Sequence, residues 1–420
     1  MAAAMPVRVL TPASTIEAVS LLDIVIAAMA VTLVVDCASR PLNVGYPWLF
    51  ALLCIPALVC ALSMLWTQSR LTTMRATASY VEGLIAYLFV VRELEGVSPS
   101  RVMVYVKRYA YLVTIPAVLL LLHVPGFAPQ DLDPDADSGG NLTYYSRLSH
   151  PVLGRSNNLA TVLAFFIPLL FYWGHVHRDR RFTRAGFVLL IAVAFTQSRG
   201  VILALVITAL IAAAGSVLRR RSIDSRTLGK IAAAGAATAT GVVLLHSFNP
   251  YTREFFKNRF SPTNLFLRED LVDAAMDKLP ARPFLGYGGG VVPDQDPELL
   301  LGVHNTYLQQ MLSFGPVLGV LVSVSLIGTA VFFFSRRQTR TVSRVIGLTL
   351  LAQLLIFFAE SSFEGAVLRT LFYLSIGLVT ALARSCEAFE ARTGHQPSER
   401  LPDAAERTVS AANRNVSRSS

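Results

Sequence analysis

Residues 304–334 read HNTYLQQMLSFGPVLGVLVSVSLIGTAVFFF, and this stretch decides the fold class. A polar helix start leads through Gly315 and Pro316 into the apolar run 316–334. A run of that length crosses about 30 Å of hydrocarbon as a helix. The sequence therefore predicts a membrane-spanning helix whose polar end, at His304, lies at the boundary of the bilayer.

Similar apolar runs occur along most of the chain. They lie near 16–37, 45–66, 76–92, 108–124, 158–174, 184–197, 200–218, 231–247, 344–359 and 366–384. Of the 420 residues, 53% are hydrophobic and 15% are charged, and the mean hydropathy is +0.52. These values exclude a soluble enzyme and are typical of a polytopic membrane protein. We therefore predict an all-α transmembrane bundle of about 11–12 spans with a helical external loop.

Basic residues indicate which loops face the cytoplasm. Arginines cluster at 178–184, 219–230 and 336–344, and alternation of the spans puts all three clusters on one side. Because lysine and arginine concentrate in cytoplasmic loops, this side is predicted to be cytoplasmic, and residues 125–157 and 248–315 external. The net charge of +10 is thus a topology signal, and no nucleic-acid partner is predicted.

The chain is predicted to form one integral membrane domain, 1–384, with its long external loop at 248–315. Residues 385–420 form a basic cytoplasmic tail that lacks the apolar content to build a core, so disorder is predicted there. Residues 1–15 show no cleavable signal pattern. The four cysteines have no paired spacing, so no disulfide is predicted.

Two arginines on the predicted external side are candidates for binding an anion. Arg199 interrupts an otherwise continuous apolar stretch, where a guanidinium costs about 2.5 kcal/mol or more unless it is paired or hydrated. Arg268 shares a helical face with Val272, Ala275 and Leu279 and is predicted to point into the bundle. A snorkelling or salt-bridged structural arginine is the alternative reading of Arg199.

A third candidate arginine, Arg155, lies in the segment GRSNN at 154–158, where Asn158 opens a span and is a further predicted substrate contact. Several outward arginines without a carboxylate cluster among them suit a phosphate or pyrophosphate, which planar guanidinium groups bind bidentately. The predicted ligand is an anionic lipid headgroup. No metal site and no other cofactor is predicted.

His304 is the candidate for proton transfer. A lone histidine is about as often a packing residue, but this one is predicted to open a helix. The partial positive charge at a helix N-terminus disfavours imidazolium and keeps the ring able to accept a proton. Asn305 and Gln309, one turn apart, are predicted to orient a sugar or a carbonyl, and Tyr307 is a further predicted substrate contact.

Two glycine patterns are read as structural. Gly315 and Gly319 form a small-xxx-small step that permits close approach of helices. The stretch GYGGG at 286–290 follows Pro283 rather than a strand and does not open a helix. It is therefore interpreted as a flexible turn and not as a nucleotide-binding loop.

The order of these motifs resembles that of the O-antigen ligase and polymerase superfamily, over roughly residues 150–384. The motifs concerned are the Ser198-Arg199-Gly200 turn, the Arg268 helix ending in PFLGYG at 283–288, the His304-Asn305-x-Tyr307-Leu308 stretch ending in Gly315 and Gly319, and, by placement, residues 155–158 and 363–365. One position departs from the pattern. The family often has an acidic residue two before the glycine that matches Gly315, and here that position is Ser313.

The resemblance implies a metal-independent, inverting glycosyltransferase of the bacterial inner membrane with its active site facing the periplasm. It would transfer a glycan (O-antigen) from undecaprenyl pyrophosphate to a sugar hydroxyl of lipid A–core, or to another glycan acceptor. Arg199 and Arg268 would hold the pyrophosphate, and His304 would activate the acceptor hydroxyl. Two alternatives stay open: an O-antigen or exopolysaccharide polymerase that extends a lipid-linked glycan, and an anion or lipid transporter.

Overall fold

The computed structural model describes residues 21–121, 156–196, 198–220, 262–291, 305–336, 340–359 and 366–393. Every regular element in these ranges is helical. In chain order the helices are α1 (Leu21–Ser39), α2 (Pro47–Ser63), α3 (Arg70–Glu93), α4 (Pro99–Leu121), α5 (Ser156–Val176), α6 (Arg180–Thr196), α7 (Arg199–Arg220), α8 (Pro262–Lys278), α9 (Thr306–Ser335), α10 (Arg340–Ala359) and α11 (Ala366–Thr393), with a 3-10 turn at Leu279–Ala281.

The described helices lie over the predicted spans, but several extend beyond them; α3 begins at Arg70 and α4 at Pro99, ahead of the runs predicted at 76–92 and 108–124. Each predicted apolar run falls on one of α1–α7 or α9–α11, except 231–247, which lies outside the described residues. Within the described ranges, five helices are long and apolar enough to cross a membrane: α3, α4, α5, α9 and α11. Shorter apolar helical stretches occur in α1, α2, α7 and α10. The chain is a multi-pass, all-α membrane protein, as its sequence predicts.

Helix α5 lies in the middle of the bundle, where it packs against α4, α6, α7, α10 and α11. Its Phe166 side chain is fully buried and meets the Tyr109 ring of α4 edge-on. On the other side of the bundle, α3 and α11 pack closely because Gly83 of α3 lies against the Tyr373 ring. Small residues at such crossings allow membrane helices to approach closely.

Helix α11 is longer than the predicted span. It continues past residue 384 to Thr393, so residues 385–393 are helical and the predicted boundary of the tail moves at least to Thr393. Packing explains the extension, because Cys386 is fully buried and Glu387 pairs with Arg336 at the end of α9. The ion pair also puts the start of the predicted cytoplasmic loop 336–344 beside the end of α11. Residues 394–420 lie outside the described ranges.

Helix α9 is broken sharply at Gly315, which has φ 80° and ψ 162°. A Cβ on Gly319 would lie 2.5 Å from the Cα of Met311. In a continuous helix, Met311 and Gly319 would be separated by about 12 Å along the axis. The first segment, 306–314 (α9a), therefore folds back along the start of the second, 316–335 (α9b). The Gly315/Gly319 pair does permit a close approach, but the neighbour is the chain's own preceding segment and not a separate helix.

Candidate active site

The C-terminal end of α9a is held by residues 282–291, called here the capping segment. The last carbonyls of a helix have no donors within the helix. Here the N–H of Tyr287 donates to the carbonyl of Leu312 at 3.0 Å, and the N–H of Gly288 donates to that of Ser313 at 2.7 Å. The capping segment thus supplies the hydrogen bonds that the break at Gly315 removes.

Close packing requires the glycines of the capping segment. Gly286 has φ 62°, a left-handed conformation that glycine adopts readily. A Cβ at Gly286 would lie 2.5 Å from the carbonyl oxygen of Leu312, and one at Gly315 would lie 2.5 Å from the carbonyl carbon of Phe284. Residues 286–289 are buried. The predicted turn is present at residues 289–290, but its predicted flexibility disagrees with the structure, because residues 286–289 are packed between two other parts of the chain.

The turn between α2 and α3, residues 64–69, holds the other side of the capping segment. Thr67 Oγ1 and the N–H of Gln68 both donate to the carbonyl of Tyr287, at 3.2 and 3.3 Å. The hydroxyl of Ser63 accepts from the N–H of Gly289 at 3.2 Å. Sequence reasoning missed this turn. Its signal was the polar run from Thr67 onward directly after an apolar span.

Helix α8 lies beside α9a. Ala275 forms a buried cluster with Leu308 and Leu312 of α9a. Tyr287 joins the C-terminal ends of both helices, because its hydroxyl donates to the carbonyl of Lys278 at 3.2 Å and its N–H donates to Leu312. This shared anchor indicates that α8 and α9a run side by side in the same direction.

The predicted inward face of α8 is confirmed over its described side chains. Val272, Ala275 and Leu279 pack in the cluster with α9a, whereas Asp273 and Asp277 are exposed. Arg268 lies one turn before Val272 on the same face, towards the N-terminal end of the helix. Its side chain lies outside the described residues, so its role as an anion ligand stays a prediction.

The N-terminal end of α9a begins at Asn305, whose side-chain Oδ1 accepts from the N–H of Leu308 at 3.0 Å. This is the usual geometry of an N-cap. The helix itself starts at Thr306, so His304 precedes the cap and does not open the helix. His304 lies outside the described residues, and its role as a base stays a prediction. Gln309 is half-buried one turn after Asn305.

Tyr307 fastens α9a to the rest of the bundle, because its hydroxyl donates to the carbonyl of Leu354 in α10 at 2.9 Å. Next to Leu354, Gln353 donates from Nε2 to the carbonyl of Thr161 in α5 at 2.9 Å. One turn of α10 therefore connects α9a to the start of α5, where the predicted substrate contact Asn158 is half-buried. Arg155 lies outside the described residues.

One face of α9a carries three buried polar side chains, those of Thr306, Gln310 and Ser313. Gln310 is only 4% exposed, and its Oε1 has no hydrogen-bond partner within the described part of the chain. An amide oxygen accepts hydrogen bonds and cannot donate one. It therefore suits a hydroxyl or N–H of a ligand and not a phosphate.

Arg199 is the first residue of α7 and is half-buried. The break predicted at Ser198-Arg199 is confirmed, because α6 ends at Thr196 and the carbonyl of Ser198 accepts from the N–H of Ile202 in the first turn of α7 at 3.0 Å. Helices α5, α6 and α7 follow one another through short connections, so the N-terminal ends of α5 and α7 lie at the same end of the bundle.

That end of the bundle is favourable for an anion. The α2–α3 turn places the N-terminal end of α3 beside the capping segment, and Arg369 joins the start of α11 to α3. The N-terminal ends of α3, α5, α7 and α11 therefore surround the side that carries α9a. Each contributes a partial positive charge of about half a unit. Helix N-termini with their free N–H groups commonly bind phosphate.

Sequence reasoning also missed Arg369, near the start of α11. The side chain is 5% exposed, and its Nη1 donates to the carbonyl of Ala76 at 3.1 Å and to the hydroxyl of Ser79. Its guanidinium lies over the ring of Tyr80 at 4.6 Å. The available signal was an arginine inside the apolar run 366–384, because charges within membrane segments are uncommon and often functional.

Residues 184–323 match the family model Wzy_C, described as O-antigen ligase. The match covers a third of the chain and supports the superfamily resemblance indicated by the motifs. It runs from α6 through α7, α8, the capping segment and α9a to the start of α9b. Together with the apolar helices, it indicates a multi-pass membrane enzyme of the O-antigen ligase or polymerase type. Among curated proteins, none matches this chain.

Proposed function

We propose that this chain, whose residues 184–323 match the O-antigen ligase family, is a glycosyltransferase of the bacterial inner membrane with a periplasmic active site. It transfers an undecaprenyl-pyrophosphate-linked glycan to a sugar hydroxyl of lipid A–core. The reaction inverts the anomeric carbon and uses no metal.

The observation that carries the proposal is the parallel packing of α8 and α9a inside the matched region. Arg268 lies in the N-terminal half of α8, and His304 immediately precedes the N-cap of α9a in the sequence. Because Tyr287 joins the helices at their C-terminal ends, both N-terminal ends point in the same direction. This arrangement supports a site in which an arginine and a histidine act on one substrate.

The proposed chemistry needs one base and stabilisation of a leaving group. His304 accepts the proton of the acceptor hydroxyl, whose oxygen attacks the anomeric carbon as the bond to the pyrophosphate oxygen breaks. Undecaprenyl pyrophosphate leaves with the bonding electron pair. Arg199 and Arg268 stabilise the charge that develops on it, and preorganised cations of this kind need no metal partner. A positioned base contributes about 10² to 10⁴ in rate.

Purified protein in liposomes, supplied with lipid-linked glycan and lipid A–core, tests the proposal through the covalent product. We expect Arg199→Ala and Arg268→Ala to lower kcat/KM for the donor by about 10² or more, which corresponds to about 3 kcal/mol. Lysine at either position should rescue poorly, because the planar fork is lost. Arg181→Ala, which removes an exposed arginine of α6, is the matched control and should transfer at the wild-type rate.

His304→Ala should abolish transfer but keep donor binding, because the base acts on the acceptor and not on the pyrophosphate. A His304→Ala protein that transfers at a near wild-type rate would exclude the base assignment. Full activity of Arg199→Ala at normal protein levels would remove that residue from the site.

A second candidate function, polymerisation, uses the same chemistry with a lipid-linked glycan as acceptor. The ligase is favoured because even the longest predicted external loop, 248–315, is too short for a standard catalytic domain, whereas a polymerase must seat a growing lipid-linked chain beside its donor. Incubation with lipid-linked glycan alone separates the two. Ladders of lengthened lipid-linked glycan would identify a polymerase. A product that forms only after addition of lipid A–core is the expected result.

A transporter would also place arginines in a cavity at a helix end. Uptake of a radiolabelled anion by the same liposomes, without a covalent product, would favour transport over glycosyl transfer.

A further inference from the structure

We propose that Arg369 is a positioning residue for the active site. From α11 it fixes the first turns of α3, and through them the capping segment that holds α9a. Its expected effect on catalysis rests on the proposed function, but its effect on the structure does not.

Arg369 is bound to α3 by hydrogen bonds and a ring contact. Its Nη1 donates to the carbonyl of Ala76 at 3.1 Å and to the hydroxyl of Ser79, while its guanidinium covers the ring of Tyr80. The side chain is almost fully buried. A guanidinium at membrane depth costs about 2.5 kcal/mol or more unless its donors are used. These contacts therefore set the position of α3 relative to α11.

Helix α3 in turn contacts the capping segment. Ala76, which receives the Arg369 hydrogen bond, also borders Gly290, where a Cβ would lie 3.3 Å from the Ala76 Cβ. One turn earlier, the hydroxyl of Thr73 is hydrogen-bonded to that of Thr67 at 2.8 Å. Thr67 in turn donates to the carbonyl of Tyr287. The first turns of α3, which contain Thr73 and Ala76, thus form the surface against which the capping segment packs.

The capping segment is bonded to α9a. The peptide group of Tyr287 is bonded on both sides, since its carbonyl accepts from Thr67 and its N–H donates to Leu312. A displacement of the first turns of α3 would therefore also displace the C-terminal end of α9a, the helix that follows His304. Misplacement of a reacting group by about 1 Å costs roughly 10² in rate.

Arg369 and the first turns of α3 both lie outside residues 184–323. The matched region carries α8, the capping segment and α9a, and the unmatched part of the chain holds them in position.

A native cysteine lies at the contact between α3 and the capping segment. Cys60, in the last turns of α2, is fully buried. Its Sγ accepts from the hydroxyl of Thr77 at 3.4 Å and lies 3.9 Å from the carbonyl of Thr73. It also faces Gly289 of the capping segment. Separation of α3 from the capping segment would expose this thiol.

The experiment uses a parent protein in which Cys37, Cys54 and Cys386 are replaced by alanine, so that Cys60 is its single thiol. In detergent, the rate of Cys60 modification by N-ethylmaleimide and the thermal midpoint are measured. In liposomes, kcat and the donor KM of transfer are measured on the same variants.

Arg369→Met should raise the Cys60 modification rate by about tenfold or more at an unchanged thermal midpoint. It should also lower kcat by about tenfold or more and leave the donor KM within about twofold. Arg92→Met is the matched control. It removes a mostly buried arginine from the opposite end of α3, where Arg92 pairs with Asp36, and should leave the Cys60 rate at the parent value.

A parent-like Cys60 rate in Arg369→Met overturns the proposal, whether or not activity is lost, because activity loss with a protected thiol means that Arg369 contacts substrate directly. If the Arg369→Met protein does not fold, the Cys60 modification rate of Arg369→Lys tests the proposal instead. Lysine keeps one donor group but lacks the planar guanidinium of arginine, so we expect a Cys60 modification rate above the parent value. A rate equal to that of the parent overturns the proposal. Absence of transferase activity in the protein without any substitution defeats the proposed function, and the Cys60 rates still decide the positioning role.

Discussion

Substitution of Gly286 by alanine tests whether the capping segment holds α9a. Two costs are expected. Alanine at φ 62° costs about 1–2 kcal/mol relative to glycine. In addition, the new Cβ would lie 2.5 Å from the carbonyl oxygen of Leu312 and 2.7 Å from the carbonyl carbon of Ser313. The two backbones must therefore separate.

Separation removes the hydrogen bonds from Tyr287 to Leu312 and from Gly288 to Ser313. Each buried carbonyl left without a donor costs about 1–3 kcal/mol. The expected loss in free energy of unfolding for Gly286→Ala is therefore about 3–8 kcal/mol. Because α9a loses its anchor, transfer activity should fall as well.

The matched control is Gly96→Ala, in the turn between α3 and α4. Gly96 has φ 73°, close to that of Gly286, but a Cβ there would meet nothing within 4 Å. Its substitution carries only the backbone cost, about 1–2 kcal/mol. Unfolding by SDS in mixed micelles, followed by tryptophan fluorescence, measures both variants. Equal losses for Gly286→Ala and Gly96→Ala, within about 1 kcal/mol, would refute the role given to the capping segment.

Three further outcomes are expected. Gln310→Met removes a buried amide oxygen that has no hydrogen-bond partner among the described residues, so stability should not fall while transfer slows about tenfold. Gln353→Met breaks an existing hydrogen bond and should cost about 1–3 kcal/mol, and equal stability losses for the two variants would contradict this contrast. Tyr307→Phe should cost about 1 kcal/mol and lower kcat at unchanged donor binding, and unaltered kinetics would contradict its role in placing α9a. In intact cells, a membrane-impermeant thiol reagent should label Asn264→Cys but not Ser222→Cys, and the reverse pattern would refute the predicted topology.

Much of the fold was predictable because its cause is local. A run such as 316–334 must be helical in lipid whatever its neighbours are, since only a helix satisfies its backbone within the segment. The break at Ser198 and the apolar face of α8 with Val272 and Ala275 follow equally from the order of residues along the chain. The predicted spans and the inward face of α8 accordingly agree with the described helices.

The candidate site was predictable only in part. Arg199 could be identified from the sequence because it is a charge that interrupts an apolar run. Asn305, in contrast, has a structural role as the N-cap of α9a. Tyr307 likewise has a backbone partner in α10, which composition and spacing do not reveal. The predicted roles of His304 and Arg268 belong to side chains that lie outside the described residues.

The sequence by itself determined that the chain is a helical membrane protein, where along the chain most of its membrane helices lie, and which superfamily it resembles. Only the tertiary structure decided that α9 folds back at Gly315, that GYGGG is a packed cap, and that Arg369 supports it. These features depend on contacts between distant positions, such as Thr67 with Tyr287. A glycine-rich sequence such as GYGGG is compatible both with a flexible turn and with a closely packed one. The atoms that face it, and therefore the conformation it must take, are set by the rest of the fold.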